Sequence, residues 1–393
     1  MGRCDTCPYG VISAAFLKIA LLTYATKPRG SVIHTLELAE ALHRLGHQPC
    51  VFALDKTGQG FGRSLLSKVA LVPASPCDQG IEALIQQRIG EFVRYFQQHR
   101  DRYDIYHAQD CLSANALAQL RDQGQLPHFV RTVHHIEAFQ SPYLQDCQEK
   151  SIRLPDRCLC VSDYWQKELE QRYGIQPFRV FNGVDWQRFS APPENVSDLK
   201  AELGLTGQPI YLTVGGIEPR KNSLRLLQAF AQVLPHLPQA QLVIAGGATL
   251  FDYEDYRADF FAAVAELGID ARSLILPGII PDAQLPALYH AAAGFVFPSL
   301  KEGWGLVVLE AIAAGLPVLT ANQTPFTEYL SPQTACLVDP NDTDQIAQGM
   351  LNLAQPQTVN AWVTASRSLR DRYRWQDTAQ LHLTLYTQLL FPQ

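Results

Sequence analysis

The amino-acid sequence predicts an α/β protein with two doubly wound parallel sheets. Three observations indicate this class. Short apolar runs alternate with helical stretches, the alternation stops once near residue 191 and then starts again, and 393 residues suffice for two domains. Parallel strands that are covered on both faces have short continuous apolar sequences, as these runs do. We therefore predict two Rossmann-like domains that face each other across a cleft.

The N-terminal domain is predicted to span residues 17–190. Its strands are Ile19–Leu22, Pro49–Ala53, Ile105–His107, Phe129–Val133, Cys158–Val161 and Arg179–Phe181. Residues 1–16 are predicted to form a loose extension before the first strand. Within this extension, Cys4 and Cys7 form a lone C-x-x-C, which lacks the second pair of ligands that a structural zinc site needs.

The C-terminal domain is predicted to span residues 191–374. Its strands are Ile210–Val214, Leu242–Ala245, Leu274–Leu276, Gly294–Phe297, Pro317–Thr320 and Ala335–Val338. Residues 375–393 are predicted to contain a closing helix, Trp375–Leu390, which packs back on the domains. Its apolar positions, including Leu381, Leu385 and Leu389, indicate one buried face.

Composition narrows the classes of partner. The chain carries 32 Lys and Arg against 38 Asp and Glu, and this net charge of −6 disfavours a nucleic-acid binder. Nine scattered cysteines are typical of reduced thiols in the cytoplasm.

The predicted helix Ile81–Gln98 carries Arg88 and Arg94 beside an apolar stripe, so it either packs into the core or contacts a membrane surface peripherally.

The most informative motif follows the predicted strand Gly294–Phe297. Here Gly303 and Gly305 permit a tight turn into a helix that begins near Leu306, whose free N–H groups point into the cleft. Glu302 precedes this turn and Glu310 lies eight positions later. Two carboxylates so placed can hold hydroxyl groups but would repel phosphate. The alternative is that Glu302 is a solvated loop charge and Glu310 an ordinary helical residue.

A basic pair follows the predicted strand Ile210–Val214. Arg220 and Lys221 lie near the start of the next helix, where the helix dipole disfavours positive charge. The placement therefore indicates that the two cations bind a diphosphate in the cleft, and we expect the side chains of Lys221 and Glu310 to be exposed there. The alternative is an ordinary basic pair on the surface.

Two motifs of the N-terminal domain also end strands. Gly30 and Ser31 open a helix after the first strand, where they form either an anion-binding nest or a plain N-cap. His134 and His135 end the strand Phe129–Val133, and a single histidine in such a place is most often structural. Spacing favours His134 as the functional one of the two.

Two further patterns are discounted. Asp342 and Asp344 form a D-x-D before a helical stretch, which is typical of an N-cap rather than of a metal site. Gly58, Gly60 and Gly62 have the wrong spacing for a dinucleotide-binding loop. We therefore predict neither a catalytic metal nor a bound cofactor.

Taken together, these motifs closely resemble those of the retaining GT-B glycosyltransferases of family 4, over nearly the whole chain. The E-x7-E pair, Glu302 and Glu310, matches the hallmark of that family. The resemblance implies that a nucleotide sugar binds the second domain, where Glu310 binds the ribose hydroxyls and Glu302 contacts the donor sugar and assists transfer. Lys221 would bind the donor diphosphate. Gly216 stands where the family pattern G-R-x-x-x-x-K has an arginine.

The resemblance implies further donor contacts. Arg220 could replace the missing arginine, and backbone N–H groups could bind part of the diphosphate instead. His134 would lie near the donor sugar and the forming bond, and the loop with Gly30 and Ser31 would close over the donor phosphates. The remaining predicted donor-binding residues, including one that contacts the base through its backbone, are Gly303, Trp304, Gly305 and Ile280 or its neighbour Ile279. His107–Asp110 resembles a segment of the acceptor side, although a satisfied strand end is an equal alternative.

The function implied is metal-independent, retaining transfer of a hexosyl group from a UDP- or GDP-sugar to a hydroxyl group. The acceptor would be a sugar, a lipid or another small molecule, and the reaction would take place in the cytoplasm. The departure at Gly216 keeps a catalytically silent nucleotide-sugar-binding protein as an alternative. A sugar-nucleotide epimerase on the same GT-B architecture is a second alternative.

Overall fold

The computed structural model describes residues 16–99, 101–247 and 253–392. Cys4, Cys7 and nearly all of the predicted N-terminal extension lie outside these residues. The described chain forms two parallel sheets with helices on both faces, and the free cysteines within it are Cys50, Cys77, Cys111, Cys147, Cys158, Cys160 and Cys336. No helix in these ranges is both long enough and apolar enough to cross a membrane.

The N-terminal sheet has seven parallel strands in the order β3-β2-β1-β4-β5-β6-β7. They are β1 (Lys18–Thr23), β2 (Gln48–Asp55), β3 (Lys68–Pro73), β4 (Ile105–Ala108), β5 (Val130–Val133), β6 (Arg157–Cys160) and β7 (Phe178–Arg179). The order reverses between β1 and β4, the place where ligands bind in doubly wound sheets. Six of the seven strands match predicted ones.

The strand β3 was missed by the sequence reading. It lies at the sheet edge, and of its residues only Val72 is buried, so its sequence is not dominated by core contacts. The glycine-rich segment before it forms a turn around Asp55, whose side chain accepts hydrogen bonds from the backbone N–H groups of Thr57 at 2.9 Å and Gly60 at 2.8 Å. These glycines therefore belong to the loop that connects β2 to β3.

Five helices flank the N-terminal sheet. They are α1 (Gly30–Arg44), α2 (Gly80–Gln98), α3 (Cys111–Asp122), α4 (Pro142–Arg153) and α5 (Asp163–Tyr173). Side chains before three of them explain where they begin: Asp110 accepts from the Ser113 N–H of α3, Ser141 from the Leu144 N–H of α4, and Ser162 from the Trp165 N–H of α5.

The apolar stripe of α2 packs into the core. Ile85, Ile89, Phe92 and Phe96 are all buried, and Arg88 forms an ion pair of 2.6 Å with Glu91. Core packing, the first of the two interpretations of this helix, is therefore confirmed.

The C-terminal sheet has six parallel strands in the order β10-β9-β8-β11-β12-β13. They are β8 (Ile210–Val214), β9 (Gln241–Ala245), β10 (Leu274–Gly278), β11 (Gly294–Phe297), β12 (Val318–Ala321) and β13 (Cys336–Val338). All six match predicted strands. The order reverses between β8 and β11, the counterpart of the β1 and β4 position in the first sheet.

The remaining helices include α6 (Trp186–Ser190), α7 (Val196–Glu202), α8 (Ser223–Val233), α9 (Glu254–Glu266), α10 (Leu285–Ala291), α11 (Leu306–Ala313), α12 (Thr343–Leu353), α13 (Pro356–Ser366) and α14 (Trp375–Leu390). Short 3-10 turns occupy Pro219–Lys221, Asp282–Gln284, Phe326–Glu328 and Arg367–Asp371. Although α6 precedes the boundary placed at 190/191, it packs against α10 and α11 of the C-terminal domain.

The last helix returns to the N-terminal domain. α14 packs along α1, and the Tyr386 hydroxyl lies 2.6 Å from Nδ1 of His107 on β4. The backbone before α14 is tied to the end of the first domain, because the Val184 N–H donates to the Tyr373 carbonyl at 3.1 Å. The predicted closing helix is therefore present, and it links the two domains.

Candidate active site

A cavity of about 440 Å³ lies between the two sheets, where the carboxyl ends of their strands meet. Its walls come from the loops after strands of both domains. The lining residues include Tyr24 and Gly30 after β1, Gln109 after β4, His134 after β5, Gly215 after β8, Gly246 after β9, Ile280 after β10 and Glu302 after β11. The predicted cleft is thus formed by both switch points.

Glu302 and the basic pair form one cluster in this cavity. The Lys221 ammonium lies 2.6 Å from Oε1 of Glu302, and Nη1 of Arg220 lies 3.1 Å from the same oxygen. The Ser299 hydroxyl donates to that oxygen as well, at 2.9 Å. The ends of β8 and β11, which are neighbours in the sheet, thereby bring two cations and a carboxylate together.

Burial and neighbouring charges both shift the pKa values of this cluster. Burial, which is the largest cause, and the neighbouring Arg220 charge lower the pKa of Lys221 to about 8, although the Glu302 carboxylate raises it. Burial also favours the neutral form of Glu302, but Lys221 and Arg220 outweigh it and hold the pKa of this carboxyl below its usual value. At neutral pH the carboxylate is ionised and most of the lysine is charged.

Glu310 lies on α11 and faces a different part of the cavity. Its Oε2 accepts a hydrogen bond of 2.8 Å from the Tyr289 hydroxyl. Burial raises the pKa of Glu310 to about 7, although the Tyr289 hydrogen bond and the Arg188 charge lower it. The carboxylate is therefore held by one neutral donor and has capacity for further hydroxyl groups.

The expected exposure of the two side chains was wrong. Glu310 is only 8% exposed, and the side chain of Lys221 is 11% exposed. The reason is that both belong to elements packed under the cavity: Lys221 contacts Glu302 and lies over the Phe297 ring at 4.4 Å, while Glu310 contacts Tyr289. Both residues still line the cavity, so a ligand can reach them.

Gly216 cannot be replaced by an arginine without a backbone rearrangement. Its φ is +82°, and a Cβ atom added there would lie 2.7 Å from the Gly247 carbonyl oxygen. The guanidinium that reaches the cluster is that of Arg220 instead. Its Nη1 contacts Glu302, and its Nε lies 3.0 Å from Oε2 of Glu218.

Glu218 connects the basic pair to the other domain. Its side chain is 2% exposed, and its Oε1 lies 3.4 Å from Nη1 of Arg29, which precedes α1. Its Oε2 binds Arg220 at 3.0 Å. One buried carboxylate therefore holds a cation from each side of the cleft, although sequence reasoning had not singled it out.

Two helices begin at the cavity without a side-chain cap. α1 starts at Gly30 after Arg29, and α11 starts at Leu306 after Gly305; neither preceding residue makes a side-chain cap hydrogen bond. The N-cap interpretation of Ser31 is therefore wrong, because Ser31 lies inside the first turn. Free backbone N–H groups at both helix starts suit an anion.

His134 lies at the end of β5 and is 9% exposed. Its Nε2 is 3.0 Å from Oε1 of Gln109, and its ring meets that of His34 edge-on at 4.7 Å. Burial, assisted by His34, lowers the pKa of His134 well below its usual value, so the ring is neutral. His135 also lines the cavity, but its side chain is 45% exposed and pairs with Glu137 at 2.7 Å.

Gly303 packs directly against His134. A Cβ atom added at Gly303 would overlap the His134 carbonyl oxygen, so only glycine permits this contact between the two domains. Nε1 of Trp165 donates to the Glu302 carbonyl at 3.1 Å and fixes the same loop. Trp304 is 2% exposed and stacks on Tyr329 at 4.9 Å, so its ring supports the loop from below.

The Ile279 and Ile280 segment after β10 lines the cavity, and the side chain of Ile279 is half exposed. The discounted D-x-D is an N-cap, because Oδ1 of Asp342 accepts from the N–H groups of Asp344 and Gln345 at 3.0 Å each. Among the described residues no group of three or more His, Cys, Asp or Glu side chains could hold a metal ion.

Comparison with known protein families shows which family this chain belongs to. The family described as Glycosyltransferase Family 4 matches residues 28–188, and the one described as Glycosyl transferases group 1 matches residues 196–368. The chain belongs to glycosyltransferase family 4. Each match covers one of the two domains, and the resemblance inferred from the E-x7-E motif is thereby confirmed.

Named relatives support the same conclusion. This glycosyltransferase is 28% identical to O-antigen chain mannosyltransferase B of Escherichia coli over 66% of its own length and 71% of that protein. It is 27% identical to D-inositol 3-phosphate glycosyltransferase of Kribbella flavida, over 94% of its own length and 95% of that protein. The protein is therefore an enzyme, a hexosyltransferase.

Solved structures show the fold of this glycosyltransferase. Sucrose-phosphate synthase from Thermosynechococcus elongatus has a TM-score of 0.78 at 24% identity, covering 95% of this chain and 99% of that one. HepE from Anabaena, in complex with UDP and glucose, also has a TM-score of 0.78, at 19% identity and with 94% and 99% covered. The two domains form the predicted GT-B fold.

Several residues of the site were missed by sequence reasoning about this glycosyltransferase. Glu218 lies in the same Gly-Gly-Ile-Glu-Pro-Arg-Lys stretch as the basic pair, so its proximity to that motif was an available signal. Tyr289 is on α10, and Arg131 is on β5 with its side chain in the cavity lining. Neither has a signal in the local sequence, because both act through contacts with distant segments.

Proposed function

We propose that the enzyme transfers a hexosyl group from a UDP- or GDP-sugar to an acceptor hydroxyl, with retention of configuration and without a metal ion. The observation that carries this proposal is the pairing of Glu302 with Lys221 and Arg220 at the ends of β11 and β8, a short distance from the uncapped start of α11. A carboxylate for sugar hydroxyls and cations for a diphosphate occupy one wall of the cavity.

Glu310 and the segment after β10 are assigned to the nucleoside. An ionised Glu310 accepts hydrogen bonds from ribose hydroxyls, while backbone groups at Ile279 and Ile280 contact the base. HepE, a structural neighbour, has been solved in complex with UDP-glucose, and a relative in sequence is named as a mannosyltransferase. Together these two names support a hexose as the transferred group, and the first supports UDP as its carrier.

The leaving nucleoside diphosphate gains negative charge as its bond to the sugar breaks. Lys221, Arg220 and the free N–H groups at the start of α11 provide positive potential on that side, and those at the start of α1 approach it from the other domain. When the diphosphate binds, it competes with Glu302 for the two cations. This exchange frees the Glu302 carboxylate for hydroxyl groups of the donor sugar.

The acceptor hydroxyl attacks on the side of the N-terminal domain. His134 is neutral, is oriented by Gln109 and touches the Gly303 backbone, so it contacts the reacting sugar through a hydrogen bond rather than as a charge. The proton of the hydroxyl passes to the departing phosphate oxygen, and the new glycosidic bond forms on the face that the phosphate leaves. Retention of configuration follows from this same-face exchange.

A donor screen with stereochemical analysis tests the proposal. Purified enzyme is incubated with UDP- and GDP-hexoses and a panel of sugar, lipid and small-molecule alcohols, with and without EDTA, and the product anomer is identified by NMR. An inverted anomer, or loss of turnover in EDTA, would contradict the retaining or the metal-independent assignment. Product without an acceptor would identify an epimerase, and donor binding without any turnover a silent binding protein.

A matched pair of variants tests the cluster itself. Lys221→Met removes the ammonium beside Glu302, whereas Lys68→Met removes an exposed lysine at the start of β3 that does not line the cavity. We expect only the first to impair turnover.

The many free thiols at buried positions, such as Cys158 and Cys160, support a cytoplasmic location for the reaction.

A further inference from the structure

The cavity has an arm that runs into the N-terminal domain. Besides the residues shared by both domains, its lining includes side chains of α2, α3, α4 and the segment before α4. They are Ile85, Ile89, Leu112, Phe139, Leu144 and Cys147. All six belong to the apolar core between these helices or pack against it. The wall of this arm is therefore made of core side chains that face an open volume.

Two polar side chains in this part of the lining, Asn115 and Gln148, are already satisfied by the protein. Nδ2 of Asn115 donates to the carbonyls of Cys111 and Cys147, at 2.8 Å each. The Gln148 side chain exchanges two hydrogen bonds with the backbone of Glu137, at 2.8 and 2.9 Å. They offer little to a polyhydroxylated guest, which would lose hydrogen bonds to water on entering.

Other polar side chains of the same cavity lining are not satisfied. Arg131 is 3% exposed, its Nη1 and Nη2 lie 3.5 Å from the Cys111 sulfur, a weak acceptor, and its Nε has no hydrogen-bond partner. Oδ2 of Asp110 and Nε2 of Gln109 also lack partners, although Oδ1 of Asp110 accepts from the Ser113 N–H and Oε1 of Gln109 bonds His134. Each such buried group costs about 1–3 kcal/mol if it stays unpaired.

These orphaned groups line the same cavity and lie beside His134. Gln109 bonds His134 directly, and Asp110 follows Gln109 in the chain. A guanidinium donor, an amide donor and a carboxylate acceptor thus share the cavity lining with the apolar side chains of the arm. The arrangement complements a molecule with oxygen atoms at one end and an apolar body at the other.

We propose that the arm binds the apolar body of the acceptor, a compact aryl or short alkyl group, while Asp110, Arg131 and Gln109 bind its oxygen-bearing end. This proposal rests on the transferase function above and specifies the acceptor class. The acceptor is an alcohol or glycoside with an apolar substituent. A free sugar or sugar phosphate would leave the arm unfilled.

Direct titration tests the arm without requiring turnover. Methyl, hexyl and phenyl glycosides of glucose and mannose are titrated into the full chain, which is first saturated with UDP or GDP. We expect the hexyl or phenyl glycoside of at least one sugar to bind at least tenfold more tightly than its methyl counterpart. Affinities that do not differ, including no measurable binding by any of them, overturn the proposal.

Two filling variants localise the effect. Ile89→Trp fills the arm from α2, and Leu144→Phe fills it from α4 if the first variant does not fold. Leu66→Trp is the matched control, because Leu66 is 63% exposed and does not line the cavity. The tenfold preference should disappear in either filling variant and persist in the control. A preference that survives the filling of the arm would show that the apolar group binds elsewhere.

The polar end has its own variant. Arg131→Met should weaken methyl and phenyl glycosides by the same factor and leave their ratio unchanged, whereas a merely structural role would lower the melting temperature without this pattern. Failure of UDP and GDP to bind the wild-type chain would count against the proposed function. Normal nucleotide binding with no preference among the glycosides would count against the arm alone.

Discussion

Replacing Glu310 by glutamine tests the role of its burial on α11. Burial raises the pKa of this carboxyl from 4.5 to about 7, so the folded protein binds a proton there more tightly than the unfolded chain does. Between these two values the folded state holds more protons than the unfolded state. The stability of the protein must therefore fall as pH rises through this window, and then stay constant above it.

The size of the effect follows from the two pKa values. The separation between 4.5 and about 7 corresponds to about 3 kcal/mol in total, of which about 2–3 kcal/mol is lost between pH 5 and pH 8. Glutamine has the same shape and can still accept the Tyr289 hydrogen bond, but it does not ionise. The variant should therefore gain stability over the wild type as the pH rises.

Urea unfolding of both proteins at pH 5 and pH 8 measures this gain, because other titrating groups cancel in the difference. Glu266→Gln is the control, since Glu266 is exposed on α9. If the difference between Glu310→Gln and the wild type were the same at both pH values, the carboxyl would not be perturbed and the reasoning would be refuted.

Whereas the stability of the wild type should fall as the pH rises, its affinity for the donor should increase. Ribose hydroxyls donate to an ionised carboxylate, so the affinity of the wild type for a UDP- or GDP-sugar should rise about tenfold between pH 5.5 and 7.5. These donors carry no phosphate that titrates in the window. The Glu310→Gln variant should bind weakly with a much smaller pH dependence. Parallel affinity profiles would remove Glu310 from the nucleoside site.

Three further substitutions test the cluster and its surroundings. Lys221→Met should lower kcat/KM about a hundredfold or more, since it removes a cation from the leaving group; unchanged steady-state kinetics would exclude that role. Gly216→Ala should lower the free energy of unfolding by about 1–3 kcal/mol, because the added Cβ meets the Gly247 carbonyl at φ +82°, and a variant as stable as wild type in urea would contradict this. Arg29→Met removes the partner of Glu218 from the other side of the cleft, so the KM for the donor should rise several-fold while the melting temperature changes little; the reverse pattern would identify a structural ion pair.

The strands and helices that could be predicted are those whose signals are local. The runs of β8 and β11 and the whole of α14 appear in the sequence as apolar patterns of the right length. The Asp342 cap was predicted for the same reason, because its partners are only two and three residues away. β3 was missed because an edge strand buries too little to impose a continuous apolar pattern.

For the site, the motif residues were predicted but their surroundings were not. Glu302 and Lys221 were each singled out, yet their ion pair joins residues that lie 81 positions apart. The expected exposure of Lys221 was wrong because the packing of β8 against β11 encloses it. Glu218 was not singled out, because its place in the site depends on an ion pair with Arg29, which lies 189 positions away.

The amino-acid sequence by itself determined the class of chemistry: two carboxylates eight positions apart after one strand, a basic pair after another, and the parallel sheets that bring strand ends together. Only the tertiary structure decided which charges pair, how burial shifts the pKa values of Glu310 and Lys221, and that Nε of Arg131 has no hydrogen-bond partner beside the apolar arm. The physical reason is range. Periodicity, turns and caps depend on a few neighbouring residues, whereas desolvation and ion pairing depend on every segment that the fold brings to the cleft.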